Sequence, residues 1–151
     1  MAIIKKNTGN PNQAPIYICR FYAAVFGNVD RHRDKIHKGA FADAIKSGRL
    51  PMVYCHDYKE PISKKVTTTE DDFGLLIEAE VPYLGAGKKF IDEYYNGMAE
   101  GYSFGFQYGD IEWNDKGNYL DVFTIKEIYE VSPASVPCND KTKTVEVKPK
   151  Q

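Results

Sequence analysis

The chain has 151 residues, 42% of them hydrophobic and 27% charged, which is enough for one globular domain and too little for two. A domain of this length buries enough surface to hold together without a disulfide or metal staple. Twenty Lys and Arg against 21 Asp and Glu leave a net charge of −1, which argues against nucleic acid as the main partner, because phosphate binding needs a basic surface.

Taken in chain order, residues 1–14 are a polar arm with Gly and Pro, and Met1-Ala-Ile-Ile-Lys-Lys lacks the apolar run of a signal peptide. Ile16–Phe26 is rich in β-branched and aromatic residues and predicts a strand; its apolar stretch Tyr22–Phe26 is far short of the ~20 residues that span a bilayer. Asp30, His32, Asp34 and His37 offer metal-ligand chemistry, but Arg31, Arg33 and Lys35 interleave them and no zinc or calcium spacing is present, so the segment reads as a solvated loop. Gly39–Gly48 carries Phe41, Ala44 and Ile45 at helical spacing. Leu50–His56 reads as a buried strand, and Ser63–Thr69 with Leu75–Val81 as a hairpin joined through residues 70–74.

A second helix is expected over Gly87–Ala99, with Phe90, Ile91, Tyr94, Tyr95 and Met98 on one stripe suited to core packing. Tyr102–Tyr108 predicts a strand. Residues 114–118 form a turn between strands Asp110–Trp113 and Tyr119–Tyr129. Residues 139–151 are Lys-rich without aromatics and read as a mobile tail, leaving residues 15–138 as the single domain. The expected fold is α+β: a mainly antiparallel β-barrel of six or seven strands with two or more surrounding helices. Three irregularly spaced cysteines, Cys19, Cys55 and Cys138, fit a reducing compartment, and the expected class is a soluble cytoplasmic protein with no cofactor.

Chemistry concentrates at Gly101-Tyr-Ser-Phe-Gly-Phe106. On a strand, Tyr102, Phe104 and Phe106 face one side and Ser103, Gly105 and Gln107 the other, leaving one hydroxyl on a nearly bare face where another backbone can approach. Taken alone, the segment also fits a surface serine on an edge strand, or an open edge that binds an extended peptide by strand addition. A serine nucleophile needs a base, and His56, at the end of an apolar run, suits that role better than His32 or His37. Cys55 adjoins His56, but strand neighbours point to opposite faces, so Cys55 is expected to be a small core residue and not a nucleophile. A third, acidic group to orient the histidine is open between Asp57, Asp121, Glu127 and Glu130.

In order, Asp30…Asp34 leading to Gly39-Ala-Phe41, His56-Asp57…Pro61-Ile62, Gly74-Leu75, Gly101-Tyr-Ser-Phe-Gly-Phe106, and Glu130-Val-Ser132 followed by Pro137-Cys-Asn139 resemble the prohead (capsid maturation) protease family of tailed bacteriophages. The match runs from about Phe21 to Asn139. The resemblance implies a serine protease related in fold to the herpesvirus assembly proteases, with Ser103 as nucleophile and His56 as base. The herpesvirus enzymes use a second histidine as third member, and none follows Ser103 here; the resemblance to the phage enzymes, which use an acid in the Glu-Val-Ser block, places that role on Glu130. It further implies that scaffolding protein and major capsid protein are cut inside the procapsid, with self-cleavage in the tail after Asn139 and a homodimer or higher oligomer. The competing expectation is an inert barrel of the same ancestry acting as an assembly factor.

Overall fold

In β1 (Ile16–Val25) Tyr17, Cys19, Phe21 and Ala23 are buried at every second position, while the residues between them are only partly covered. A computed structural model describes residues 13–48, 50–99 and 101–151. Residues 1–12 of the expected N-terminal arm lie outside the described residues.

The remaining elements follow in order: β2 (Asp34–Ile36), a 3-10 turn (Ala44–Ser47), β3 (Met52–Tyr54), β4 (Asp57–Ser63), β5 (Lys65–Glu70) and β6 (Gly74–Pro82). After these come α1 (Gly85–Tyr95), β7 (Gly101–Tyr108), β8 (Ile111–Asn114), β9 (Tyr119–Val122), β10 (Ile125–Ala134) and β11 (Lys143–Pro149). The strands form three sheets, ordered β11-β1-β6-β5, β4-β3-β10-β7 and β2-β9-β8.

Mainly-β architecture is what the residue pattern predicts, but the barrel is not: no hydrogen-bonded ladder links the three sheets among the described residues, so they do not close. Closure needs the end strands of a sheet to pair, and here the sheets meet through side chains. Phe21 of β1 stacks on Tyr102 of β7 with ring centroids 3.9 Å apart, in one core that also takes in Phe41, Met52, Ile77, Phe90 and Val131. The expected strand Tyr119–Tyr129 is two strands of different sheets, broken at Phe123 and Thr124.

The helix count is also corrected. Among the described residues α1 is the one α-helix, with Phe90 and Ile91 buried on the predicted stripe and Met98 exposed beyond its end. Gly39–Gly48 yields only the 3-10 turn, because both bounding glycines hold left-handed backbone (φ 91° and 71°) and the few residues between them cannot offset helix nucleation. Lys143–Pro149, within the stretch expected to be a mobile tail, pair antiparallel with β1 as β11. Its lysines suit an edge strand, where charge blocks further pairing, while Val147 packs on the core.

Candidate active site

The register of β7 against β10 builds the site. Ser103 lies opposite Ser132, and Gly105 opposite Glu130. Directly opposed residues of an antiparallel pair share a face, so Ser103, Gly105, Glu130 and Ser132 form one patch. The absence of a side chain at position 105 is a packing requirement: a Cβ there would stand 2.7 Å from Glu130 Oε1. Tyr102, on the opposite face of β7, is buried in the core and holds the strand in place.

The β3–β4 hairpin carries His56 to this patch. Tyr54 pairs with Asp57, so Cys55 and His56 form its two-residue turn, with φ of 49° and 60°. Left-handed backbone at both positions is the geometry that best fits the twist of a tight hairpin, but for non-glycine residues it costs about 1–2 kcal/mol each. Cys55 is therefore not the expected core residue on a strand; it is exposed in the turn. Contacts to β10 hold the turn. The His56 N–H donates to Ser132 Oγ (3.0 Å), and His56 Nδ1 meets Glu130 Oε1. Ser132 Oγ donates to Glu130 Oε2 at 2.6 Å. The Glu130 side chain is 4% exposed, whereas that of His56 is half exposed.

Ser103 and His56 line a shared cavity of about 140 Å³ that runs inward past Asp34 and Asn139, and a second, open one of about 380 Å³ that adds Cys55 and Arg31. No hydrogen bond joins Ser103 to His56. At the inner end the Asp34 carboxylate accepts the Tyr108 hydroxyl, yet burial still raises its pKa. Burial also pushes the Cys138 thiol, on the cavity wall, up to about 11.

The other acids proposed from sequence stand elsewhere. Asp121 pairs with His37 (2.6 Å) on the β2–β9 sheet. Asp57 is exposed and accepts the Lys59 N–H, and Glu127 is exposed opposite Gln107. Of the metal-ligand candidates, Asp30 caps its own loop by accepting the His32 and Asp34 N–H groups (2.9 Å each), and His37 is committed to Asp121. Among the described residues no three His, Cys, Asp or Glu side chains converge on a metal position. Sequence reasoning assigned nothing to Ser132; its one signal was a polar residue two positions from Glu130, hence on the same strand face.

Two likenesses to known proteins accompany this geometry. The chain is 36% identical over 90 residues to the "Prohead protease" of Escherichia phage T5, a match covering 58% of this chain and 41%, less than half, of that relative. The profile of the caudovirus prohead serine proteases matches residues 3–151, nearly the whole chain, which therefore belongs to that family.

Proposed function

We propose that the protein is a serine endopeptidase of phage capsid maturation that works through Ser103, His56 and Glu130. The observation that carries the assignment is the His56 Nδ1–Glu130 Oε1 contact beside a cavity that Ser103 also lines. With Nδ1 held by the carboxylate, the proton sits on Nδ1 and Nε2 is the free basic nitrogen. His56 Nε2 takes the Ser103 hydroxyl proton as Oγ attacks a peptide carbonyl. The imidazolium, stabilised by buried Glu130, then protonates the leaving amine, and water hydrolyses the acyl-enzyme. Since β7 ends its sheet, an extended substrate laid along it passes Ser103.

The family description and the name of the T5 relative, both of a prohead protease, support capsid-related substrates, and the reading assigns these as the capsid and scaffold proteins, cut inside the procapsid. Self-cleavage after Asn139 has a structural cost, because β11 is paired with β1 and must be released first. The test is co-expression with the capsid and scaffold proteins of its own phage, wild type against Ser103→Ala, read by intact mass. Shortened capsid protein with wild type alone is the expected result. Cleavage that persists in folded Ser103→Ala overturns the assignment, and full-length capsid protein in both points to an assembly factor without activity.

A further inference from the structure

We propose that Ser132 is a positioning residue, the clamp that fixes both members of the His56–Glu130 pair to one strand; this rests on the Ser103–His56–Glu130 reading above. Ser132 is fully buried on β10 directly opposite Ser103. A buried hydroxyl must find partners, and this one uses its donor and an acceptor lone pair on the two halves of the pair. Its single hydrogen goes to Glu130 Oε2, and its lone pair receives the His56 N–H.

Each bond removes a different freedom. The Glu130 carboxylate is held at Oε2 by Ser132 and at Oε1 by the imidazole, so it cannot rotate about its terminal bond without losing one. Meanwhile the His56 backbone, strained at φ 60°, is tied to the same oxygen that orients the carboxylate. Donor and acceptor of the Nδ1–Oε1 contact are thus referenced to one atom on a central strand of the sheet. Ser132 itself is no nucleophile: it has no exposed surface, and its proton is already given to Glu130. Replacing it by Ala leaves a buried carboxylate oxygen and the turn N–H without their partner.

The test uses Ser132→Ala and the nearly isosteric, weakly donating Ser132→Cys, each in the full chain. In a Ser103→Ala background, the imidazole nitrogens of His56 are read by long-range 1H–15N spectroscopy at mildly alkaline pH. Intact Ser132 is expected to give one tautomer with the proton on Nδ1, and either variant a mixture. In the Ser103-containing protein, either variant is expected to lose roughly 10- to 100-fold in kcat with KM changed by no more than about twofold, the split expected when orientation of the base is lost and not substrate binding. Folded variants that keep the single tautomer and the wild-type kcat overturn the proposal. If Ser103→Ala cleaves like wild type, the protease assignment fails, while the tautomer spectrum still decides the role of Ser132.

Discussion

Gly105→Ala puts a methyl group where the site has no room for one. The added carbon would stand 2.7 Å from Glu130 Oε1, 3.5 Å from Cδ and 3.7 Å from Cγ, against an ordinary contact that begins at 3.4 Å. The carboxylate must therefore retreat by about 0.7 Å. It cannot swing into water, since its side chain is only 4% exposed, so the retreat is taken from the His56 contact or the 2.6 Å Ser132 bond. A misplacement of about 1 Å costs up to 10²-fold in rate, so Gly105→Ala is expected to slow cleavage roughly 30- to 100-fold, ~2–3 kcal/mol of barrier. Stability falls less: about 1–3 kcal/mol for a poorly partnered buried carboxylate, offset by the ~0.5–1 kcal/mol that Ala gains over Gly in a strand. A time course of capsid-protein processing by intact mass, with urea melts of the purified protein, reads both quantities. Wild-type cleavage by a normally folded Gly105→Ala protein would refute the packing argument, and with it the claim that the exposed His56 ring depends on where Glu130 sits.

Three further outcomes separate the remaining claims. Glu130→Gln is expected to lower cleavage by about 10³-fold or more while Asp121→Asn leaves it intact; the reverse pattern in the processing assay would move the acid to the His37 pair. Cys55→Asn should gain about 0.5–1 kcal/mol in chemical denaturation without loss of cleavage, because Asn accepts the φ of 49° more readily; loss of cleavage with a normal fold would revive a thiol role. Burial raises the Asp34 carboxyl, so the fold favours its protonated form, and that advantage, full in acid below the ordinary carboxylate range, is lost as pH rises through the raised value. Asp34→Asn is thus expected to melt above wild type at neutral pH, with the gap closing in acid; a gap independent of pH would contradict it.

The sequence reveals those parts of the fold that repeat a local period. Alternation locates β1, β7 and the β5–β6 hairpin, and the apolar stripe locates α1. It misleads where tertiary contacts decide. The Gly39–Gly48 spacing is helical, but its phase serves a turn that buries Phe41 and Ala44. The lysines of β11 conceal an edge strand that is visible only beside β1. At the site, Ser103 and His56 stand out by residue type, because few hydroxyls lie between glycines and only three histidines are present. The placement of His56 in a left-handed turn has no local sign, since Cys-His is not a favoured pair for such a turn. The same holds for the choice among the acids, which depends on how β10 is registered against β7.

That register shifts twice along β10, first between Ile125 and Glu127 and again between Ile128 and Glu130, and the second shift places the acid. Phe106 pairs with Ile128, yet its neighbour Gly105 pairs with Glu130, so Tyr129 is the extra residue of a β-bulge. A regular ladder continued from Phe106–Ile128 would set Tyr129 opposite Gly105 and Val131 opposite Ser103. Because side chains alternate between faces, that slip would send Glu130 and Ser132 to the side of β10 shared with Phe104 and Tyr102, among the core aromatics. The bulge reverses the parity for the end of the strand: Val131 is turned to the core, while Glu130 and Ser132 come to the face that holds Ser103 and receives the His56 turn. Glu127, between the two shifts, shares a face with Gln107 but lies three residues before Glu130 on β10, whereas the β3–β4 hairpin is anchored further along, at its base by Val131 N–H to the Pro51 carbonyl and at its turn by His56 N–H to Ser132. The half-exposed Tyr129 ring is what the bulge leaves outside, and the buried carboxylate is what it brings in.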